Sequence, residues 1–284
     1  MHPIPVPPAR TRAPAPRRPL RWAALLILGL LMSACATSPA PSTGSFVQRT
    51  LELDGRTHAY QVFVPAGRRS RDGTPVILFL HGSGERGDDG DKPTRVGLGP
   101  YLRQHADDFP ALVVFPQAAE GTEWSDGAPI ALAALEAATR EFGGDRERTY
   151  LTGISMGGYG TWELALAEPG RFAALVPVCG GMTPPYPGRP TLRVYAVADA
   201  ADPYAATAQR LHAIPTWLFH GARDDLVRPE QSRRMVAALE AAGARDVRYT
   251  EFPGANHNSW DPAYATPALW DWLFAQRLDR AASR

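Results

Sequence analysis

Short runs of apolar residues recur along the chain from about residue 75 and alternate with segments of helical spacing. The runs lie at 75–80, 111–115, 148–152, 172–178, 215–219 and 247–252. Continuous apolar runs of this length predict strands that are buried on both faces of a parallel sheet. Between several of them, apolar residues at helical spacing predict helices that begin at Pro129, Pro229 and Pro267. The pattern predicts an α/β fold, with a mostly parallel central sheet and helices on both faces.

Two other segments have a different pattern. Residues 46–53 and 56–64 alternate apolar with polar positions on either side of Asp54-Gly55, which predicts an N-terminal antiparallel hairpin with a tight turn. Residues 182–210 are ambiguous, because LRVYAV fits either a further strand or an excursion over the ends of the strands. We find no internal repeat.

The first 45 residues differ in composition from the rest. Five arginines precede an apolar run at 22–32, which is shorter than the roughly 20 residues that span a bilayer. Small residues follow it, so we expect residues 1–34 to be a signal peptide, with a retained membrane anchor as the alternative. LMSAC resembles the lipobox of bacterial lipoproteins and predicts lipidation of Cys35, while Ala34-Cys35-Ala36 also fits ordinary signal cleavage.

Residues 35–45 are rich in Pro, Ser and Thr and predict a flexible tether, so that the folded domain spans residues 46–284. These features predict export across the inner membrane and a lipid-anchored protein that faces the periplasm. Ala36, which is not acidic, resembles the residue that follows the cysteine in outer-membrane lipoproteins. With Cys35 lipidated, Cys179 has no disulfide partner, and its apolar surroundings predict a core residue.

The charge balance argues against one class of partner. The chain carries 30 basic and 29 acidic side chains, and the first 34 residues hold five arginines and no acid. The rest of the chain is therefore slightly acidic. This balance gives no electrostatic basis for binding nucleic acid.

A candidate nucleophile lies in GISMG, where G-x-S-x-G directly follows the predicted strand at 148–152. Small glycines allow a sharp turn between strand and helix that exposes the hydroxyl of Ser155. A serine nucleophile needs a base, and the base needs an orienting acid. His257 and the adjacent acids Asp224 and Asp225 follow later predicted strands. The order serine, aspartate, histidine is that of α/β-hydrolases.

An oxyanion needs hydrogen-bond donors that are already in place. The glycine-rich turn HGSG follows the strand at 75–80, so we assign the oxyanion hole to the main-chain amides of Ser83 and Met156. Trp124 follows another strand, at the same predicted edge. It is a candidate wall for an acyl or alcohol pocket, and packing of a loop is an equally good interpretation.

Together, HGSGERG, GISMGGYGTW, FHGARDDLV and NHNSW resemble the α/β-hydrolase superfamily, from about Phe46 to the C-terminus. The group they resemble is that of bacterial carboxylesterases related to the phospholipase/carboxylesterase, feruloyl esterase and poly(3-hydroxybutyrate) depolymerase families. The resemblance implies hydrolysis of a small or polymeric carboxylic ester through an acyl-enzyme, without a cofactor. Its H-G-x-x-D pattern, counted from His220, implies that Asp224 rather than Asp225 is the acid. LVRPE departs from the usual V-x-P after it.

Other functions remain as alternatives. A polyester depolymerase, a feruloyl-type aryl esterase, a serine peptidase and a catalytically silent envelope binding protein are each compatible with this fold. Gly82, Gly84 and Gly87 also satisfy G-x-G-x-x-G, but the acidic, proline-broken sequence after them is unsuited to a dinucleotide. Neither a zinc motif nor a spaced calcium loop is present, so we predict no metal.

Overall fold

The described part of the chain, residues 42–67 and 73–278 of a computed structural model, contains one eight-stranded sheet. The strands are β1 (Ser45–Leu53), β2 (Arg56–Val64), β3 (Thr74–Leu80), β4 (Leu112–Phe115), β5 (Gly144–Ile154), β6 (Ala174–Val178), β7 (Thr216–Gly221) and β8 (Val247–Phe252). Their spatial order is β1-β2-β4-β3-β5-β6-β7-β8. Strands β3 to β8 run parallel, and the β1-β2 hairpin is antiparallel. The predicted α/β architecture is confirmed.

Helices cover both faces of this sheet. They are α1 (Leu98–Gln104), α2 (Trp124–Phe142), α3 (Met156–Ala167), α4 (Pro203–Leu211), α5 (Glu230–Ala241), α6 (Trp260–Tyr264) and α7 (Pro267–Ala275). Buried side chains of α2 to α5 belong to one hydrophobic cluster, and those of α1, α6 and α7 belong to another. The sheet therefore separates two cores, and its strands β3, β4, β6 and β7 are buried on both faces. The prediction of a fully buried strand at 247–252 is wrong, because β8 lies at the edge of the sheet and is only partly buried.

Strand β3 illustrates how an apolar run serves both cores. Successive side chains of a strand point to opposite faces, and here Leu78 and Leu80 join the α2-α5 core while Ile77 and Phe79 join the other. All seven residues of β3 are buried. Complete burial of each such side chain contributes about 1.5–3 kcal/mol, which fixes the position of the loop that follows β3.

The N-terminal hairpin turns where the sequence predicted. Leu53 pairs with Arg56, which leaves a two-residue turn. Asp54 and Gly55 have φ angles of 50° and 71°, the left-handed geometry that a type I′ turn requires of both central residues. A bulkier, β-branched residue at either position would strain this turn.

Helix α2 differs from its prediction at the N-terminus. The helix begins at Trp124 and contains Pro129 in its interior, whereas the sequence predicted Pro129 as its first turn. A reciprocal capping box, in which the side chains of Glu123 and Asp126 each accept from the other's main-chain amide, sets the true start. The predicted end is correct, since Gly143 adopts the left-handed conformation with φ 71° and ψ 42°.

The ambiguous segment is not a strand. LRVYAV contains only a short 3-10 turn, Tyr195–Val197, and residues 182–202 form an irregular excursion before α4. Main-chain groups of this excursion bond to side chains of neighbouring elements, including Glu163, which accepts from the amides of Tyr195 and Ala196 at 2.6 and 3.2 Å. The segment is therefore ordered against the body of the domain without joining the sheet.

The predicted signal peptide at 1–34, the lipidation site Cys35 and most of the tether lie outside the described residues, so these predictions stay predictions. Strand β1 begins at Ser45, one residue before the predicted start of the domain. Within residues 42–67 and 73–278, no helix has both the length and the apolar composition needed to cross a bilayer.

Candidate active site

Ser155 lies on a strained turn between β5 and α3. Its φ and ψ angles are 52° and −116°, a region that a residue with a Cβ rarely occupies. A Cβ on Gly153 would lie 2.2 Å from the carbonyl oxygen of Gly157, and one on Gly157 would lie 1.9 Å from that of Leu80. Both distances are far below contact, so glycine is required at both positions. This close approach forces the turn that exposes the Ser155 hydroxyl.

The three residues predicted as a triad lie within hydrogen-bond distance of one another. Ser155 Oγ is 2.9 Å from His257 Nε2, and His257 Nδ1 is 2.7 Å from Asp224 Oδ2. Because the carboxylate can only accept, Nδ1 carries a proton and Nε2 is free to accept from the serine hydroxyl. The geometry suits proton transfer from serine to histidine with the aspartate as orienter.

Asp224 is held in its ionised form by hydrogen bonds. Its Oδ1 accepts from the amides of Leu226 and Val227 at 3.0 and 2.9 Å. Its Oδ2 lies 3.2 Å from His220 Nε2 in addition to its bond with His257. Burial opposes the charge, but the bonds from His220 and His257 outweigh it and hold the Asp224 pKa well below its usual range. The carboxylate is thus an acceptor across the whole neutral range.

His220 is a buried partner of the triad, and the sequence predicted no role for its side chain. It is fully buried, with Nε2 2.8 Å from the Val227 carbonyl and Nδ1 2.7 Å from Ser232 Oγ. Nε2 faces two acceptor oxygens, so it carries the proton and donates to both. The adjacent Asp225 is exposed and does not reach His257. The turn therefore brings Asp224 rather than Asp225 to the imidazole.

A second buried histidine holds the loop predicted to form the oxyanion hole. Ala118 donates its amide to His81 Nε2 at 3.0 Å, so His81 Nδ1 carries the proton and donates to the Gly82 carbonyl at 2.6 Å. Burial lowers the His81 pKa to about 4, which keeps the ring neutral at pH 7. Ser83, which follows Gly82, starts a short 3-10 turn.

The two amides assigned to the oxyanion hole are free of protein acceptors among the described residues. Neither the Ser83 nor the Met156 main-chain N–H donates to another protein group there. Met156 is the first residue of α3, where amides have no intrahelical acceptor. A Cβ on Gly82 would lie 3.6 Å from Ser155 Cβ, so the loop passes beside the nucleophile. Both donors are available for a developing negative charge.

Trp124 does not wall the pocket beside Ser155, and the structure corrects that prediction. The side chain is 1% exposed, and its indole N–H donates to the His81 carbonyl at 2.9 Å. The ring packs edge-on to His81, with 4.9 Å between centroids, and fills the space beside Gly160. Trp124 thus packs behind residues 81–85, which we call the oxyanion loop, and supports it. This is the loop-packing interpretation that the sequence left open.

A pocket of about 350 Å³ opens above Ser155 and His257. Its apolar lining includes Val96, Ile154, Leu192, Val227 and Trp260. Its rim carries Tyr186 and Leu226, which are 47% and 51% exposed. A mostly apolar pocket with a few polar groups around the nucleophile is typical of a site for a small organic substrate.

Two charged residues in the pocket were not predicted from the sequence. Glu85 lies in the oxyanion loop. Burial raises the Glu85 pKa, although hydrogen bonds from main-chain amides to its carboxylate act in the opposite direction. Arg189 comes from the excursion at 182–202 and forms an ion pair with Glu123 at 3.1 Å. No motif marks Arg189, whereas Glu85 stands inside the HGSGERG stretch and could have been found there.

Cys179 lies behind the triad but is unsuited to bind a metal with it. Its sulfur and the side-chain atoms of Asp224 and His257 fall within 4.8 Å of one another. Burial raises the Cys179 pKa to about 12, so with no metal bound the thiol is protonated at neutral pH. Asp224 and His257 already use their facing atoms on each other. Cys179 is fully buried, as expected for a core residue.

The sheet order, the strained serine turn and the hydrogen-bonded Ser155, His257 and Asp224 define an α/β-hydrolase with the site of a serine hydrolase. Residues 131–276, just over half of the chain, match the prolyl oligopeptidase family. The chain belongs to that family. The predicted resemblance to the α/β-hydrolase superfamily is confirmed, although the motifs in the sequence did not predict the prolyl oligopeptidase family.

Three proteins illustrate what the chain is similar to. A poly(3-hydroxyoctanoate) depolymerase of Pseudomonas fluorescens is 29% identical over 208 residues, which are 66% of this chain and 69% of that protein. The crystal structure of a thermostable esterase is 30% identical with a TM-score of 0.66; the match covers 82% of this chain but only 63% of the esterase. A ferulic acid esterase is 18% identical with a TM-score of 0.61, covering 81% of this chain and 97% of that one, and shows the fold alone.

Proposed function

We propose that this protein is a serine hydrolase that cleaves carboxylic esters through an acyl-enzyme intermediate. The observation that carries the proposal is the chain of hydrogen bonds Ser155–His257–Asp224 at the floor of an apolar pocket, next to two unengaged amides. Nucleophile, base and oxyanion donors are thus together in one place. The likeness to a depolymerase and to an esterase supports the ester as the scissile bond.

In acylation, Ser155 Oγ attacks the ester carbonyl carbon while its proton passes to His257 Nε2. The carbonyl oxygen becomes an oxyanion that accepts from the amides of Ser83 and Met156. Asp224 stabilises the imidazolium through its bond to Nδ1. When the intermediate collapses, the C–O bond breaks, the alcohol leaves with the proton from His257, and the acyl group stays on Ser155.

Deacylation repeats these steps with water. His257 Nε2 accepts a proton from a water molecule as its oxygen attacks the acyl carbon. The same two amides, of Ser83 and Met156, stabilise the second oxyanion. Collapse returns the proton to Ser155 Oγ and releases the carboxylic acid. All proton movements involve residues of this chain and substrate or water, so no cofactor is needed for this cycle.

A panel of p-nitrophenyl esters of increasing acyl length, run beside a peptide anilide, tests the proposed function. We expect release of p-nitrophenol that Ser155→Ala abolishes, and slower release from the anilide because an amine is a poorer leaving group than a phenol. Cys179→Ala is the matched control, since removal of that buried thiol should leave ester turnover unchanged. Cleavage of the anilide alone, or ester turnover that survives Ser155→Ala, would contradict the proposal.

A polyester is a second candidate substrate, favoured by the exposed apolar rim. Tyr186 and Leu226 stand at the mouth of the pocket, where a water-insoluble chain would lie on them. The depolymerase of Pseudomonas fluorescens acts on such a material by name. Clearing of a poly(3-hydroxyoctanoate) emulsion tests this candidate, and loss of clearing with retained soluble-ester turnover in Tyr186→Ser and Leu226→Ser would support it.

We further propose that the protein is exported and held at a membrane of the cell envelope by lipid on Cys35. Support comes from the arginines, the apolar run and LMSAC in the first 35 residues. Cys35→Ser should release soluble protein or leave an unprocessed precursor in fractionated cells. A mature form of Cys35→Ser that stays in the membrane fraction would refute the anchor.

A further inference from the structure

The irregular segment at 182–202 contacts the oxyanion loop through one side chain. Arg189 Nη2 donates to Ser83 Oγ at 3.0 Å and to Glu123 Oε1 at 3.1 Å. Among the described residues, Arg189 is the group that hydrogen-bonds the Ser83 hydroxyl. Ser83 is also the residue whose amide we assign to the oxyanion hole. The bond therefore joins a segment without a motif to a predicted catalytic donor.

Arg189 is itself held in place by a buried carboxylate. Glu123 is 8% exposed and caps the N-terminus of α2. Its Oε2 lies 2.9 Å from Arg86 Nη2, and Thr191 donates to its Oε1 at 3.3 Å. Because the carboxylate is shared by two guanidinium groups and a hydroxyl, its position is fixed on several sides. Arg189 is thereby anchored to the end of a 19-residue helix.

The segment that carries Arg189 is fastened at its base as well. Gln231 of α5 accepts from the Met182 amide at 2.9 Å and from Tyr204 Oη at 2.5 Å. Its Nε2 donates to Thr183 Oγ1 at 2.9 Å. These bonds tie the start of the segment, and helix α4 directly after it, to Gln231 of α5. The segment that carries Arg189 is therefore fixed to the body of the domain on both sides.

The oxyanion loop needs such support on this side. Ser83 stands between Gly82 and Gly84, so its main chain has more conformational freedom than usual. A Cβ on Gly84 would meet nothing within 4 Å, which means that the loop is open to solvent there. His81 fixes the loop before Ser83, and the bond from Arg189 fixes Ser83 itself.

We propose that Arg189 is a positioning residue: by holding the Ser83 hydroxyl, it aims the Ser83 amide at the oxyanion. The inference rests on the proposed function. Arg189 acts through Ser83, with no requirement that it touch the substrate. Misplacement of a catalytic donor by about 1 Å can cost on the order of 10²-fold in rate, and complete loss of one oxyanion donor costs about 10²–10³-fold in kcat.

A double-mutant cycle on kcat for p-nitrophenyl butyrate separates this role from a direct one. Ser83→Ala keeps the amide but removes the acceptor of the Arg189 bond. We expect Arg189→Ala and Ser83→Ala each to lower kcat by about 10- to 100-fold with KM within about threefold. The double variant should be no slower than the slower single variant, because both changes break the same bond.

Two further variants control the cycle. Arg193, on the same segment, is exposed and lies over the Tyr195 ring, so Arg193→Ala should leave kcat within about twofold. Arg189→Lys keeps one charged donor and should recover part of the lost kcat. Circular dichroism and thermal melting check that each variant is folded, and if Arg189→Ala is not, the cycle is run with Arg189→Lys and Arg189→Gln.

The outcomes separate the inference from the function on which it rests. Equal losses from Arg189→Ala in the wild-type and Ser83→Ala backgrounds would show that Arg189 acts independently of Ser83 and would overturn the inference. A rise in KM with unchanged kcat would make Arg189 a substrate contact and would overturn it too. Absence of ester turnover in the wild type would overturn the proposed function itself, and the inference with it.

Discussion

The loops after β3 and β7 each depend on a fully buried histidine, but the two histidines hold different kinds of group. His81 bonds the main chain on both ring nitrogens, with Ala118 donating to Nε2 and Nδ1 donating to Gly82. His220 donates from Nε2 to a carboxylate, Asp224, and to a carbonyl. The first loop carries one of the two predicted oxyanion donors, Ser83, and the second carries the predicted acid.

The difference follows from when charge is present in each loop. Asp224 is charged in the resting enzyme, and donors from His220, His257 and two amides satisfy it there. The oxyanion near Ser83 and Met156 exists only during the reaction. In the resting enzyme the amides of these two residues must therefore be held in fixed positions without an acceptor. A neutral histidine suits that task, since burial lowers the His81 pKa to about 4 and the ring then bonds the main chain as one donor and one acceptor.

The largest effect should come from removing the permanent charge. Asp224→Asn keeps the shape but offers an amide in place of the acceptor that orients His257, so we expect kcat to fall by about 10⁴, as in the serine-protease precedent. The matched control is Asp225→Asn, because Asp225 is the exposed neighbour, and it should stay within about tenfold of wild type. Steady-state kinetics on folded variants make the comparison, and the reverse ranking would move the acid to Asp225.

The next largest effect should come from replacing His81, which supports the oxyanion loop. His81→Phe leaves the buried Ala118 amide without a partner and the Gly82 carbonyl with only the 3.4 Å bond from the Glu85 amide, at a cost of about 1–3 kcal/mol in the free energy of unfolding. The loop before Ser83 loses its support, so kcat should also fall, by about tenfold or more. Urea unfolding and ester kinetics measure both. His212→Phe, at the C-terminal end of α4, is the control, and equal behaviour of the two variants would contradict the role of His81.

A smaller effect is expected from His220. In His220→Asn the side-chain amide lies near the former position of Nδ1, and the Nε2 donor is lost. In His220→Gln the longer side chain can place its amide nitrogen near the former position of Nε2. We therefore expect His220→Asn to lower kcat by about tenfold and His220→Gln by less. The variants should also differ in stability toward pH. Asp224 has a depressed folded pKa, so its stabilisation is present above the unfolded pKa near 3.9 and is lost as pH falls below it.

The stability difference between wild type and His220→Asn should therefore stay constant from pH 6 to about 4 and shrink as the pH falls further to about 2, because the two proteins share the unfolded pKa and differ in the folded pKa of Asp224. Urea unfolding at several pH values measures it. A difference that is constant over the whole of this range would mean that His220 contributes packing alone and does not stabilise the Asp224 charge.

The smallest effect should come from Trp124, behind the His81 loop. Trp124→Phe keeps most of the buried ring but leaves the His81 carbonyl without its indole donor. We expect a loss of about 1 kcal/mol in unfolding free energy and KM values within about twofold for short and long acyl esters. An acyl-length preference that shifts in this variant would restore Trp124 to the pocket wall.

The sequence could predict Ser155, His257 and Asp224 because each stands in a short motif that follows a predicted strand, and strand ends of a parallel sheet converge. It could not predict the Arg189–Ser83 bond, which joins residues 106 positions apart through a segment with no period or motif. The start of α2 was missed for a local reason. Glu123 is an uncommon cap beside Ser, Thr, Asp or Asn, and Pro129 looked like a first-turn residue.

Peptide mapping after incubation with a fluorophosphonate probe tests whether Ser155 is a nucleophile activated by His257. We expect one covalent adduct on the peptide that contains Ser155, formed much more slowly in His257→Ala and at an unchanged rate in Asp225→Asn. Folded wild-type protein that forms no adduct, or an adduct on another residue that persists in Ser155→Ala, would contradict this assignment.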